Sequence, residues 1–248
     1  MGSGAKVQMT YCIDSWFPTL VYYSDLNCMD KISDYEYTAF EIFKEIANDP
    51  HPFGESSLST SFWHREYGHL YKDNRFSELC STILKQAVLF CEVLGYPSLK
   101  ENQLVFTNMW LNLIGPHDYH AQHIHSTIGK AAISGVFYVD APPGATICFG
   151  SPYRDAYEPV KPWVNNPANF SKISYDCVPG RLVMFKSNVY HGYDSHKQEK
   201  NKISIVKIKA SAGKWHAEPS RNDYQLLLKC GGHLIKNLYQ YYTVPTYI

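Results

Sequence analysis

The spacing of apolar residues changes at Leu104, and this change most constrains the fold. Before Leu104 the apolar residues recur at helical spacing, and after it they alternate with polar residues. The first alternating segment separates two sets of side chains, Asn108, Trp110 and Asn112 on one side and Met109, Leu111 and Leu113 on the other. We expect the apolar set to pack under helices and the polar set to line an interior.

Further short strands follow this segment. They are predicted at residues 132–139, 145–149, 172–177, 182–186 and 203–210. Turn signals separate them, with Pro142-Pro143-Gly144 and Pro179-Gly180 as the clearest. Short strands at this spacing are typical of a sandwich or barrel and not of a βαβ fold. The sequence therefore predicts an all-β core over about residues 104–210, with helices added to it in an α+β arrangement.

Two helices are predicted over about residues 34–95. The first runs from Asp34, a plausible N-cap, to Asn48, and its apolar stripe is Tyr37, Phe40, Phe43, Ile46 and Ala47. The second runs from about Arg75 to Leu94, and its stripe is Leu79, Ile83, Ala87, Phe90, Val93 and Leu94. Gly95 follows as a C-terminal cap. Each helix has one apolar face, so the pair is expected to cover one face of a sheet.

The two ends of the chain carry separate expectations. Residues 16–23 read as an edge strand, because Pro18 is tolerated only at an edge or a strand start. Residues 221–242 return to helical spacing and either pack on the barrel or form a homodimer contact. Met1-Gly2-Ser3-Gly4 resembles an expression scar, so residues 1–8 are set aside and the native chain is expected to begin at Met9.

Composition limits the partners and the compartment. The chain has 23 basic and 23 acidic residues, so no bulk field attracts nucleic acid or an anionic membrane. No apolar run approaches the roughly 18 residues of a membrane span. Seven cysteines occur without a Cys-x-x-Cys motif, which favours reduced thiols and a cytoplasmic location. Nucleic acid and membrane are therefore not expected as partners.

Three histidines form a candidate metal site. His123 and His125 are two residues apart, so on an extended chain their side chains point the same way. His191 follows a later strand and can join them, closing one face of an iron ion and leaving other positions open to reactants. His117 and His120 are competing ligands, and we interpret them as lid or outer-sphere residues because Gly115-Pro116 indicates a loop before them.

A candidate anion site lies further along the chain. Lys202 and Ser204 share one side of a predicted strand, and Ile203 and Ile205 share the other. A lysine backed by apolar residues is well placed to point into a barrel. One strand would then offer an ammonium and a hydroxyl group to a carboxylate.

The order of these motifs resembles the iron(II)/2-oxoglutarate-dependent oxygenases, and within them a bacterial and phage branch with a His-x-His…Ser-Gly-Val-Tyr-Tyr signature. The likeness covers roughly residues 13–210. It is carried by His-x-His, Ser134-Gly135-Val136-Phe137-Tyr138-Val139, Pro179-Gly180-x-Leu182-Val183-Met184-Phe185-x-Ser187, His191, the basic-x-Ser strand, Phe17-Pro18-Thr19 and Trp110-x-Asn112.

The resemblance implies a double-stranded β-helix, the jelly-roll fold of cupins, under a helical layer. Residues 9–248 would form a single oxygenase domain that uses Fe(II), 2-oxoglutarate and O2. His123 and His191 would bind iron, and His125 falls where most of the superfamily has Asp or Glu. Lys202 falls where the family usually has Arg, and Ser204 completes the clamp on the distal carboxylate of 2-oxoglutarate. Asn112 and Tyr138 are implied as further contacts to this cosubstrate.

Two features differ from the usual pattern of the family. Lysine supplies charge but not the planar bidentate pair that arginine makes. The segment from His125 to Ser134 is a few residues longer than usual.

Two interpretations of His125 stay open. In the one that we prefer, it is a third metal ligand. In the other, it turns away and opens a position for chloride or water, which would permit halogenation.

The expected activity is hydroxylation of an unactivated C–H bond, with decarboxylation of 2-oxoglutarate to succinate. The substrate is an unidentified small molecule or a protein side chain, and the compartment would be a host cytoplasm if the gene belongs to a phage. One alternative is a non-catalytic, cupin-like metal-binding module. Another is a three-histidine metalloenzyme that needs no 2-oxo acid.

Overall fold

The computed structural model describes residues 19–26, 28–47, 58–96, 104–125, 133–152, 170–195, 202–206 and 210–212. The helices are α1 (Ile32–Ile46) and α2 (Ser77–Val93). The strands are β1 (Val21–Asp25), β2 (Leu58–Thr60), β3 (Leu104–Phe106), β4 (Trp110–Ile114), β5 (His120–His123), β6 (Ile133–Asp140), β7 (Thr146–Gly150), β8 (Lys172–Asp176), β9 (Arg181–Lys186), β10 (His191–Tyr193), β11 (Lys202–Val206) and β12 (Ala210–Ala212).

The strands form two sheets, and the chain passes repeatedly from one to the other. The larger sheet has the order β1-β9-β6-β11-β4-β2, with β12 pairing to β6 and β3, and the smaller has the order β5-β10-β7-β8. From β4 to β11 the strands enter the sheets in the sequence large, small, large, small, small, large, small, large. Two antiparallel sheets wound in this way are a double-stranded β-helix, which confirms the predicted fold.

The alternating pattern divides the core into two parts. Met109 and Leu111 pack with the helices, together with outward residues of β6 and β9 such as Phe137 and Met184. A second cluster lies between the sheets and contains Trp110, Val136, Tyr138, Ile147, Phe149, Val183, Phe185 and Tyr193. Both faces of β6 are therefore buried. The predicted division of the first alternating segment is correct, since Asn112 is also buried.

Helix α1 differs from the prediction in register. It begins at Ile32, after a short 3₁₀ turn at Met29–Lys31, so Asp34 lies in the first turn and is not the N-cap. Its buried residues are Tyr35, Thr38, Ala39 and Ile42. Tyr37 and Phe40 of the expected stripe are 68% and 40% exposed. A face rich in small side chains lets the helix approach β6 closely, which the larger aromatic stripe would prevent.

Helix α2 buries nearly the predicted face. Leu79, Ile83, Ala87 and Phe90 are buried, and Cys80 and Cys91 extend the same surface. Val93 is 66% exposed, contrary to prediction. Gly95 has a φ of 89°, the left-handed conformation expected of a glycine after a helix C-terminus. Within the described ranges, neither helix combines the length and the hydrophobicity that crossing a bilayer requires.

Some expectations shift or fall outside the described residues. The N-terminal strand is at an edge as predicted, but it begins at Val21. The fold described here belongs to one compact unit that ends at Ser211. The predicted C-terminal helix (221–242) and the proposed scar at residues 1–8 lie outside the described ranges. Strands β5 and β10 were not predicted, and they carry the site.

Candidate metal and anion site

The three histidines are brought together by the pairing of β5 with β10. His123 ends β5 and lies directly opposite His191, which begins β10. His125 follows two residues after His123, and its backbone N–H donates to the carbonyl of Ser187 at 2.8 Å. The three ring centres are 4.5–4.6 Å apart. One ring nitrogen from each histidine lies within 4.8 Å of the corresponding nitrogens of the other two, so the three imidazoles are close enough to share one ion.

Backbone carbonyl groups hold two of these rings in place. Nδ1 of His123 is 2.9 Å from the carbonyl oxygen of Ala121, and Nδ1 of His191 is 2.9 Å from that of Val189. A carbonyl oxygen only accepts, so each Nδ1 carries the hydrogen and donates it. The lone pair of each ring is then on Nε2, the atom that would bind a metal. This arrangement sets the tautomer and the orientation of ligating histidines.

The surroundings of His191 keep it neutral. Its ring is buried and lies 4.4 Å from the ring of Phe185, centre to centre. Burial, and to a smaller extent the neighbouring His123, lowers the pKa of His191 to about 3. A neutral imidazole is the form that binds a metal. Three neutral nitrogen donors suit iron, zinc, copper or nickel, so the donor set fits the iron that the sequence predicts.

A β-bulge places a fourth histidine against the cluster. His191 pairs with His123, and Tyr193 pairs with His120, so β5 spans three residues where β10 spans two. The extra residue turns His120 to the same side as His123, and their ring centres are 4.3 Å apart. His117 is exposed, with a φ of 64°, and is not part of the cluster.

Lys202 is buried inside the barrel as a cation. It begins β11 and is 1% exposed. Its Nζ atom lies 3.2 Å from the ring centre of Tyr193, over the ring face. Burial lowers the pKa of Lys202 to about 8, and Cys177 and Cys148 oppose the shift. Within the described ranges no acidic side chain forms an ion pair with it. A buried ammonium without an acidic partner is a receptor for an anion.

Buried hydroxyl groups lie on the strand that carries Lys202, on the neighbouring strand β6 and on Tyr193. Ser204 lies opposite Asn112 on β4 and opposite Tyr138 on β6, so the three side chains share one face of the sheet. The hydroxyls of Ser204, Tyr138 and Tyr193 are buried and make no hydrogen bond of good geometry within the described residues. The amide oxygen of Asn112 accepts from Nε1 of Trp110 at 3.1 Å. Unsatisfied buried hydroxyls beside a cation are the groups that a carboxylate ligand would satisfy.

The structure therefore brings the predicted residues into two adjoining groups. His123, His125 and His191 form one, and Lys202, Ser204, Asn112 and Tyr138 lie around the other. The sequence reasoning did not identify Tyr193, which lies between the groups, with its ring stacked on His120 at 6.2 Å. A signal was present, because Tyr193 is two residues after His191 and an extended chain turns both to one side.

One family of known proteins matches part of the sequence. Residues 108–207 match the family described as "Putative 2OG-Fe(II) oxygenase". No curated protein matches the sequence significantly. This family uses Fe(II), 2-oxoglutarate and O2, the cofactors predicted from the sequence.

Solved structures with a similar fold share little sequence with this chain. A prolyl-4-hydroxylase from Pseudomonas putida is 13% identical, over 77% of this chain and 93% of that chain, with a TM-score of 0.47. AviO1 from Streptomyces viridochromogenes Tue57 is 12% identical, over 81% and 92%, with a TM-score of 0.49. HygX from Streptomyces hygroscopicus, with nickel and 2-oxoglutarate bound, is 11% identical, over 76% and 81%, with a TM-score of 0.48.

The matched residues 108–207 include strands β4 to β11, the three histidines, Lys202 and Ser204. The bacterial and phage branch within the family stays a prediction. This part of the chain, 100 of its 248 residues, is therefore similar to the 2OG-Fe(II) oxygenases.

Proposed function

We propose that this protein is an iron(II)- and 2-oxoglutarate-dependent dioxygenase that hydroxylates an unactivated C–H bond. The observation that carries the proposal is the convergence of three imidazoles, with one nitrogen of each within 4.8 Å of the others, in the same barrel as a buried ammonium that has no acidic partner among the described residues. An iron ion bound there would supply oxygen activation, coupled to the conversion of 2-oxoglutarate into succinate and carbon dioxide. One oxygen atom of O2 enters succinate and the other enters the hydroxylated product.

The protein's own residues have separate tasks in this reaction. His123, His125 and His191 bind the metal, with the first two held by β5 and its extension and the third by β10. Lys202 and Ser204 bind the distal carboxylate of 2-oxoglutarate, and Tyr138 and Asn112 line the same pocket. Phe185 and Phe149 form an apolar wall beside His191, which excludes water from that side.

The wider setting is also part of the proposal. The described cysteines are all free thiols, as a reducing cytoplasm would keep them. The substrate is a small molecule or a protein side chain, and a homodimer through the C-terminal segment remains the proposed assembly.

The three-histidine donor set, which lacks a carboxylate within the described residues, also favours a second candidate: a metalloenzyme that uses no 2-oxo acid.

The test is succinate release from 2-oxoglutarate in the presence of Fe(II) and oxygen. We expect the wild type to release succinate and His123→Ala and His191→Ala to fall to background, because each loses a ligand. His117→Asn is the matched control, an exposed histidine in a positive-φ turn that asparagine tolerates. Lys202→Ala separates the two candidates, since only the 2-oxoglutarate enzyme depends on the ammonium. Succinate release that survives both histidine changes would refute the assignment.

A further inference from the structure

Tyr193 occupies the space between the histidine cluster and the ammonium of Lys202. It ends β10, two residues after His191, and is 3% exposed. On one side its ring is stacked on that of His120, which contacts the ring of His123. On another side its ring face meets Nζ of Lys202.

The ring of Tyr193 determines where the ammonium of Lys202 sits. A lysine side chain has four rotatable bonds, so burial alone does not give its charge one position. The negative face of an aromatic ring attracts a cation, and at 3.2 Å from the ring centre the contact is close. Within the described residues no acidic group competes for this cation. The aromatic contact is therefore what orients Lys202 in the free protein.

The hydroxyl group of Tyr193 has a second use. It is buried and makes no hydrogen bond of good geometry within the described residues. A tyrosine hydroxyl can donate, and the buried hydroxyls of Tyr138 and Ser204 are unsatisfied in the same way. Ser204 lies opposite Tyr138 and is two residues from Lys202, whose ammonium meets the ring of Tyr193. A carboxylate bound beside this ammonium would accept from these hydroxyls and would neutralise its charge.

We propose that Tyr193 positions Lys202 through its ring and contacts the distal carboxylate of the 2-oxo acid through its hydroxyl. The inference rests on the proposed function, because it assigns a residue to the 2-oxoglutarate pocket. Tyr193 thereby sets selectivity for a 2-oxo dicarboxylate over a 2-oxo monocarboxylate. A purely structural role, as one ring of the interior core, would give no such selectivity.

The experiment compares two ligands of equal chain length. 2-Oxoglutarate and 2-oxopentanoate differ only in the distal carboxylate. Binding of each to the metal-loaded protein is measured without oxygen by titration calorimetry. Tyr193→Phe keeps the ring and removes the hydroxyl, and we expect it to weaken 2-oxoglutarate binding about tenfold or more, as for a lost hydrogen bond to a charged group. Tyr193→Leu also removes the ring and should weaken it further. Both variants should bind 2-oxopentanoate as the wild type does.

Matched variants exclude a general effect on folding. Tyr35 is also buried and stacks on another ring, Phe76, but it belongs to the helical core. Tyr35→Phe and Tyr35→Leu should leave the preference between the two ligands unchanged. In a Lys202→Met background, Tyr193→Leu should cost no more than Tyr193→Phe, because there is no ammonium left for the ring to position and only the hydroxyl contact is lost.

The outcomes are distinct. An equal loss for both ligands in the Tyr193 variants, or no loss for either, would overturn the proposal while leaving the proposed function intact. A metal-loaded wild type that fails to bind 2-oxoglutarate would overturn the proposed function and this inference together. Selective loss of 2-oxoglutarate binding in Tyr193→Phe, a variant of nearly the same shape, supports it.

Discussion

At the scale of single residues, the backbone orients the metal ligands. His123 and His191 each donate from Nδ1 to the carbonyl group two residues earlier in the chain. Both hydrogen bonds are formed within the segment that carries the ring, so the orientation of each ring does not require a side chain from a distant part of the sequence. The relative positions of His123 and His191 then depend on the pairing of two short strands, β5 and β10.

Lys202 leads to a prediction about pH. Its pKa in the folded, ligand-free protein is about 8, below the ordinary lysine value, because burial disfavours the charge. The ammonium is therefore lost as pH rises through about 8, and we expect 2-oxoglutarate binding to weaken over that range. The buried charge also lowers the free energy of unfolding at low pH. This destabilisation disappears as pH rises from about 8, the pKa of Lys202 in the folded protein, to the higher pKa of lysine in the unfolded chain.

Calorimetric titrations on either side of pH 8 would check this expectation. Lys202→Arg stays charged throughout, so its affinity for 2-oxoglutarate should change little with pH. Lys202→Met should bind weakly at every pH. Wild-type affinity that stays constant as pH rises through 8 would contradict a role for the Lys202 charge.

The sequence identified most of the residues at the site, but not the contacts among them. The histidine spacing and the Lys-x-Ser pattern select residues that the fold does bring together. Tyr193 was missed although it lies two residues after His191, because this spacing alone does not single out one tyrosine among 20. Tyr193 is part of the site because it contacts His120 of β5 and Lys202 of β11. Contacts between residues of different strands cannot be predicted from the sequence around Tyr193 alone.

At the scale of elements, the two strands that bring the three histidines together are strands that the sequence did not predict. β5 and β10 have four and three residues. They are too short and too polar to show an alternating pattern, and the bulge in β5 breaks the period of two. Helix α1 illustrates a different limit: both candidate stripes have helical spacing, and only the approach of β6 decides which one is buried.

The bulge predicts a requirement for glycine at position 192. A Cβ atom there would collide with the carbonyl oxygen of His120 and would lie 3.1 Å from the backbone of Gln122. Gly192→Ala must therefore push β5 away from β10 and separate His123 from His191. We expect metal affinity to fall at least about tenfold, the lower end of the effect of disturbing groups that orient metal ligands. Metal titration by calorimetry would measure it.

Gly150→Ala is the matched control, because Gly150 ends β7 and its added Cβ meets mainly the mobile end of Gln122. That side chain can move aside, so metal affinity should stay near the wild-type value. If both alanine variants bind metal like the wild type, then the close approach of β5 and β10 does not set the ligand geometry.

At the scale of the whole molecule, the helical layer and the barrel core were predictable, whereas the sheet order was not. Period-two segments showed which strands have a helix-facing side, and the likeness to a known family supplied the double-stranded β-helix. The order of strands depends on pairings such as β4 with β11, residues that are distant in sequence. Such pairings are stabilised by side chains from both partners, and a single segment does not reveal its partner.

The same long-range construction predicts that ligands stabilise the entire fold. The metal ligands come from β5, its extension and β10, and the anion pocket comes from β4, β6, β10 and β11, so an unfolded chain presents neither site. A ligand that binds only the native state at about 100 times its Kd adds about 2.7 kcal/mol to the free energy of unfolding. For a protein of this size that corresponds to a rise in Tm of roughly 5–10 °C.

Thermal melts with Fe(II) under anaerobic conditions, with and without 2-oxoglutarate, would separate the two contributions. The wild type should show one rise on adding metal and a further rise on adding 2-oxoglutarate. His191→Ala should lose both, because 2-oxoglutarate binds through the metal as well as through Lys202. Lys202→Met should keep the metal-induced rise and lose most of the second. If His191→Ala shows the same metal-induced rise as the wild type, the stabilising ion binds elsewhere, and the three imidazoles are not its site.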